Sequence, residues 1–149
     1  MPQKNIYGIN HKMISIIIPT FNNFNYLKLC IKSLNKNSRY RHEIIFHIND
    51  GSDGTTEFIK NNGYKYTHSN INIGLCSAIN KAVKLASFNY ILYSHDDMYF
   101  CPDWDKVLLN EVKSLNHDNF YLSGTMIEPY SGHIVCNFGT DLNSFKEDE

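Results

Sequence analysis

Two adjacent carboxylates close the segment Tyr90-Ile91-Leu92-Tyr93-Ser94-His95-Asp96-Asp97. A short apolar run with aromatic content reads as a buried strand. Two acids at its end are costly to desolvate unless they are solvated, paired or hold a cation. Open α/β sheets place their ligands at the carboxyl ends of strands. The segment is therefore a candidate site for a divalent metal and the anion it carries. The plain alternative is a solvated strand-to-helix turn in which Asp97 or Asp103 caps the next helix. Two more polar clusters follow apolar runs: Thr20-Phe21-Asn22 after residues 13–18, and Asn49-Asp50-Gly51-Ser52 after residues 43–48. If the runs are parallel strands, all three clusters open on one edge of a sheet. Acid, amide and aromatic groups gathered there suit a nucleotide.

The spacing of apolar residues predicts the elements that would position these groups. Residues 1–12 read as a loose polar lead-in. Met13-Ile14-Ser15-Ile16-Ile17-Ile18 is β-branched, bounded by Pro19, and reads as a first strand buried on both faces and so parallel. Residues 19–23 then form a loop. Leu27, Cys30, Ile31 and Leu34 fall at i, i+3, i+4 and i+7, one face of a helix that Asn23 or Asn25 can cap. Residues 43–48 form the second strand and run into a dense turn cluster. Thr55 or Thr56 starts a short helix through Phe58 and Ile59. Residues 64–68 form a third strand, and Leu75, Ile79, Ala82, Val83 and Ala86 mark a third helix. Residues 89–94 form the fourth strand. Pro102 opens a fourth helix, with Trp104, Val107, Leu108, Val112 and Leu115 on one face. Residues 120–124 and 134–138 read as later strands with antiparallel neighbours. Four alternations of strand and helix predict the α/β class, a doubly wound, mostly parallel sheet flanked by helices.

Composition narrows the function. A chain of 149 residues, 42% hydrophobic and 19% charged, is expected to be one globular domain with a real core. A net charge of −1 without a basic run argues against nucleic acid as a partner. The seven histidines lack zinc-site spacings. Cys30, Cys76, Cys101 and Cys136 lie far apart and read as free buried thiols, which fits a reducing cytosol. The start Met1-Pro2-Gln3-Lys4-Asn5 has no apolar h-region, so no signal peptide is expected. No apolar run approaches the ~18 residues of a membrane span. The expected location is the cytoplasm, with peripheral attachment at the inner face of a membrane left open. Gly-x-Gly-x-x-Gly and Gly-x-x-x-x-Gly-Lys-Ser/Thr are both missing, which argues against a dinucleotide fold and a P-loop. The turn at 49–54 makes a poor calcium loop, because Gly51 stands where an oxygen ligand is needed and Lys60 where the bidentate Glu belongs. The charge of a diphosphate must then be met otherwise, and a hard divalent cation on Asp97 would meet it.

Four segments in order resemble the inverting family 2 glycosyltransferases of the GT-A fold. They are Ser15-Ile16-Ile17-Ile18-Pro19-Thr20-Phe21-Asn22, Asn49-Asp50-Gly51-Ser52-Asp53-Gly54-Thr55, Asn72-Ile73-Gly74-Leu75-Cys76-Ser77-Ala78-Ile79-Asn80, and His95-Asp96-Asp97. The resemblance covers roughly residues 13–105 and rests on the ordered set. It implies a single GT-A-like nucleotide-sugar-binding domain over residues 1–149, C-terminally truncated or minimal, since such domains normally continue further. It implies that Pro19, Thr20, Phe21 and Asn22 form the nucleotide loop, with Phe21 beside the base and Asp50 on the base's polar edge. Asn72, Gly74 and Asn80 would pass near the donor diphosphate and sugar, Gly74 where the loop enters a helix whose N-terminus favours phosphate. Asp96 would touch the ribose. Asp97 would bind the metal, with His95 beside it where the family often has Asp. An imidazole suits Mn2+ better than Mg2+, so the cofactor is expected to be one of these two. Asn72 can also be a plain helix cap, and Asn80, next to Ile79, would need a buried partner.

The resemblance implies transfer of a sugar from a nucleoside-diphosphate sugar, UDP-linked, to a saccharide or other hydroxyl acceptor. In a single inverting displacement a carboxylate takes the acceptor's proton, and the nucleoside diphosphate leaves from the opposite face. The family's base is an acid well downstream of the metal motif. Glu147 and Asp148 superficially resemble that pair, but the plainer and preferred reading is a frayed acidic terminus. Two other readings stay open. One is a non-catalytic nucleotide-sugar-binding module that lacks the base. The other is a nucleotidyltransferase, which would need a basic group for a triphosphate.

Overall fold

The computed structural model describes residues 13–128, 130, 132–139 and 141–147. Its elements are β1 (Ile14–Phe21), α1 (Phe24–Asn37), β2 (Glu43–Asn49), α2 (Thr55–Asn61), β3 (Lys65–Ser69), α3 (Leu75–Ala82, continued by a 3₁₀ turn Val83–Leu85), β4 (Tyr90–Tyr93), α4 (Trp104–Ser114), β5 (Ile127–Glu128) and β6 (Ile134–Val135). They divide after Leu109 into two compact units.

In the first unit β1 to β4 form one parallel sheet in the order β3-β2-β1-β4. The isoleucine run of β1 serves two cores, because successive side chains point to opposite faces. Ile14, Ile16 and Ile18 pack with Leu27 and Ile31 of α1, Ile59 of α2 and Leu109 of α4. Ile17 and Ile45 meet Ala82 of α3 on the other face. Helices on both faces make the sheet doubly wound, as expected. The strand order reverses between β1 and β4, and such a reversal is where an α/β sheet opens a crevice at its carboxyl edge.

Several sequence expectations need correction. β1 does not end at Pro19; it continues to Phe21, with Pro19 beside His47 of β2. The Ile17 carbonyl accepts the Ser94 N–H on the β4 side. By alternation Pro19 turns its nitrogen to that same side, past the end of β4, so no ladder bond is lost. α3 gives way to the 3₁₀ turn at Val83 and stops short of Ala86. α4 begins at Trp104 rather than Pro102, and Val107 is exposed. Asp105 and Leu109, one turn apart, face the core instead. All four cysteines are free, but only Cys30 is buried. Cys76 lies in the first turn of α3 and Cys101 in the loop before α4, where the core does not reach. In the second unit residues 120–124 form no strand, since a strand needs a partner and the two-residue β5 and β6 are the only strands there among the described residues. These two pair in parallel, with one antiparallel bridge from Ile127 to Gly132 among the described residues.

At the sheet edge where β2 begins, the half-buried Glu43 collects donors from three elements. Its carboxylate accepts Ser15 Oγ at 2.7 Å, Ser87 N–H at 2.9 Å and the Lys65 ammonium. Burial alone would raise the carboxyl's pKa; the donors, Lys65 foremost, outweigh it and pull it from 4.5 down to about 2. A folded-state pKa below the unfolded one means stability that is full above pH ~4.5 and lost as pH falls toward 2. Glu43→Gln should therefore cost about 2–3 kcal/mol at pH 7 and little at pH 2.5. Urea melts of both proteins at the two pH values check this. A gap that stays constant between them would contradict it.

Candidate functional site

A cleft of about 330 Å³ opens at the carboxyl ends of β1 and β4. β1 lends it Pro19, Thr20 and Phe21, and the loop beyond adds Asn22 and Asn23. Asn49 closes β2, Asn72 and Leu75 stand at the entry of α3, and Asp96 comes from the loop after β4. The structure thus brings together Pro19, Thr20, Phe21, Asn22, Asn72 and Asp96 of the expected set. Phe21 is 49% exposed, leaving a ring face open to stacking. The Thr20 side chain is 98% withdrawn from solvent, and its Oγ1 has no hydrogen-bond partner among the described residues. A buried hydroxyl without a partner is costly.

Asp50 lies beside the cleft rather than in its lining. Asn22 clamps it: Nδ2 donates to Asp50 Oδ2 at 3.0 Å, and Oδ1 accepts the Gly51 N–H at 3.0 Å. The Asn22 amide, with help from Ser52, holds the Asp50 carboxyl below its ordinary pKa. Asn22 (φ 46°) and Asp50 (φ 61°) both take the left-handed conformation, which their short polar side chains tolerate better than others do. Gly51 (φ 80°) admits no side chain, because a Cβ would stand 2.2 Å from Thr56 Oγ1. The edge strand β3 buttresses the turn. Asp50 N–H donates to the Ser69 carbonyl at 2.8 Å, and the Asp50 carbonyl meets His68 Nε2 at 2.8 Å. Behind them the buried His47 bridges Thr67 Oγ1 and Ser69 Oγ at 2.7 and 2.8 Å. Burial, then the nearby Lys81, keeps its pKa low.

The loop after β4 carries the acids. Asp96 is half-buried and accepts Asn23 Nδ2 at 3.0 Å. Asp97 is exposed. His95 Nε2 is engaged by the Tyr93 hydroxyl at 2.8 Å, which leaves only Nδ1 for a cation. Burial, and then the charges of Asp97 and Asp96, raise the Tyr93 phenol, so it stays protonated at neutral pH. Beneath the loop the Cys30 thiol donates to the His95 carbonyl at 3.8 Å. Burial and the same two acids push that thiol up to about 12. Among the described residues no three His, Cys, Asp or Glu side chains converge on one point. A hard cation that arrives with a diphosphate needs only one or two protein carboxylates, because phosphate and water oxygens complete its shell. Asp97, open to solvent beside Asp96, fits that demand.

The remaining expected residues fall elsewhere. Asn72 Oδ1 accepts the Gly74 N–H at 2.9 Å, so its side chain shapes the α3 entry as well as the cleft. Gly74 (φ 79°) is the α3 N-cap and sits outside the lining. Asn80 needs no buried partner: it is exposed, while Ala78 and Ala82 form the buried stripe of α3. Glu147 belongs to the second unit, and Asp148 lies outside the described residues. Sequence reasoning had Asn23 only as a helix cap, and it quoted Asn49 and Leu75 within the polar cluster and family segments without giving either a contact of its own. Asn49 Oδ1 accepts the Ile73 N–H at 3.0 Å, tying the end of β2 to the α3 entry. Its position at a strand end was the one available signal.

The family model described as glycosyl transferase family 2 matches residues 15–135. The chain belongs to glycosyl transferase family 2. An uncharacterized glycosyltransferase of Rickettsia prowazekii (strain Madrid E) is 32% identical to this family 2 chain over 139 residues, 90% of this chain and 42% of that protein. S. aureus TarS 1–349 in complex with UDP-GlcNAc matches with a TM-score of 0.57 and 21% identity, over 68% of this chain and 30% of that one. Mannosyltransferase PcManGT from Pyrobaculum calidifontis, in complex with GDP-Man and Mn2+, matches with a TM-score of 0.56 and 18% identity, over 70% and 32%. At these identities the solved structures show the fold, the expected GT-A type of mostly parallel α/β sheet. The chain spans less than half the length of the curated relatives it matches, several of which are named glycosyltransferases. No helix among the described residues is long and apolar enough to cross a membrane.

Proposed function

We propose that this chain is the donor-binding part of a glycosyltransferase that moves a sugar from a UDP-linked donor to a saccharide or other hydroxyl acceptor. The observation that carries the reading is the cleft at the strand reversal, where the exposed Phe21 ring, the Asn22, Asn49 and Asn72 amides and the Asp96 carboxylate gather. Family membership and the UDP-GlcNAc and GDP-Man bound in the structural relatives support a nucleoside-diphosphate sugar as the cleft's ligand. In this reading Pro19, Thr20, Phe21 and Asn22 hold the base, with Asp50 on its polar edge. Asp96 accepts from the ribose, and Asn72, Gly74 and Asn80 lie along the diphosphate and sugar. Asp97, with His95 beside it, holds Mn2+ or Mg2+; the Mn2+ in the mannosyltransferase structure supports this. When bound, the cation offsets the charge that builds on the leaving diphosphate. The displacement is inverting, by the family resemblance. The four free cysteines support a reducing cytosol as its compartment.

Titration calorimetry with UDP tests the reading. Affinity should rise on addition of Mn2+, and equal affinity with and without the cation rules out the metal bridge. Phe21→Ala should weaken binding by about 1–3 kcal/mol, as loss of base–aromatic stacking does elsewhere. An unchanged affinity in that variant removes the ring from the base site. One observation favours a second reading, a donor-binding module without transfer: Asp96 is the one acid among the cleft's lining residues. Neither Glu147 nor Asp148 is assigned as base. Release of free sugar from UDP-sugar, or its transfer to an acceptor, by the 149-residue chain separates the two.

A further inference from the structure

We propose that Asn23 is a positioning residue for Asp96 and thereby sets the selectivity of the cleft for ribose. The inference rests on the reading of Asp96 as the ribose contact. Asn23 occupies the N-cap of α1, where an asparagine ordinarily gives its side chain to its own helix. It makes no such bond. Its Nδ2 instead reaches Asp96 Oδ1 at 3.0 Å, across 73 residues of sequence. The helix start is served from another loop. Phe24 N–H donates to Asp53 Oδ2 at 2.9 Å, and the second oxygen of Asp53 accepts Thr55 N–H at 3.1 Å. With the cap supplied by Asp53, the asparagine amide is committed to the Asp96 carboxylate.

The chemistry of that carboxylate gives the contact a direction. An ionised acid only accepts hydrogen bonds, over two oxygens. The Asn23 amide holds Oδ1 and so fixes the carboxylate plane. Oδ2 is then the oxygen presented to a donor in the cleft that both residues line. A nucleoside offers such donors at its 2′- and 3′-hydroxyls. A 2′,3′-dideoxynucleoside lacks them and leaves the acceptor unpaired, which is how hydrogen-bonding sites reject analogues. A carboxylate free to rotate would read the diol less sharply.

The test compares UDP with 2′,3′-dideoxy-UDP by calorimetry in Mn2+, on the wild-type chain, Asn23→Ser, Asp96→Ala and the double variant. Serine caps a helix about as well as asparagine, so the fold is kept, while its side chain is too short to bridge to Asp96. Urea melts confirm equal stability. The expected result is a wild-type preference for UDP of about tenfold or more. That preference collapses in Asn23→Ser through loss of UDP affinity, with dideoxy-UDP affinity unchanged, and the double variant behaves as Asp96→Ala alone. Equal weakening of both nucleotides in Asn23→Ser would overturn the positioning role in favour of direct contact. A preference that survives Asn23→Ser but not Asp96→Ala would also overturn it, and would leave the ribose reading of Asp96 standing. A preference that survives Asp96→Ala removes that reading and the inference with it.

Discussion

Asp105→Ala is expected to remove about 3–5 kcal/mol of stability, a large part of what a small domain has. Asp105 is fully buried at the start of α4, yet it serves the loop between α1 and β2. Its carboxylate accepts the N–H groups of Arg39 and Tyr40 at 2.8 Å each, and His42 Nε2 at 2.9 Å. His42 Nδ1 accepts the Ile14 N–H, so the imidazole acts as a neutral Nε2–H donor. Burial alone would raise the acid's pKa; the Arg39 and Tyr40 N–H groups and His42 outweigh it and hold it below the ordinary carboxylate range. Alanine would strand all these donors in the interior, each at about 1–3 kcal/mol before relaxation. Asparagine should recover little, because its amide turns an NH2 toward donors. The contribution is present above the ordinary carboxylate pKa and fades below it. Denaturant melts at pH 7 measure the loss, and one below about 1 kcal/mol would mean that water or rearrangement satisfies the loop.

The second large effect is one of opposite signs. In Mn2+, Asp97→Ala should weaken UDP binding at least as much as the roughly 10–100-fold that even outer-shell losses cost metal sites. Without a divalent cation the same variant should bind UDP slightly more tightly. Among the described residues no lysine or arginine lines the cleft, so without a cation Asp97 adds only repulsion toward a diphosphate. The side chain is exposed, and stability should move by no more than about 0.5 kcal/mol. Calorimetry under both conditions gives the two signs. Equal weakening with and without Mn2+ would assign Asp97 to the nucleotide rather than to a cation.

Much of the fold was legible in the sequence because it rests on local pattern. The β-branched run at Ile14–Ile18 announced a doubly buried strand, and polar clusters after three such runs marked one sheet edge. Six of the expected residues meet at that edge. What stayed hidden depends on partners far along the chain. Asp53, Asp105 and Asn23 look like turn or surface residues, but their partners lie 29, 66 and 73 residues away. No periodicity encodes such contacts. Pro19 misled for a related reason: whether a proline ends a strand depends on where the neighbouring strand stops. Asn80 was judged by its neighbour Ile79, although burial of α3 falls on Ala78 and Ala82.

The borrowed cap of α1 also bears on the order in which the chain folds. A helix closed by its own N-cap can form from local sequence within about a microsecond. The first N–H of α1 instead waits for Asp53, beyond β2. The ~1 kcal/mol that a cap contributes therefore arrives only after the loop between the two strands has closed, at the entropic cost of a non-local contact. The smallest stretch of chain that secures the start of α1 is not the helix but β1-α1-β2 with the turn that follows it.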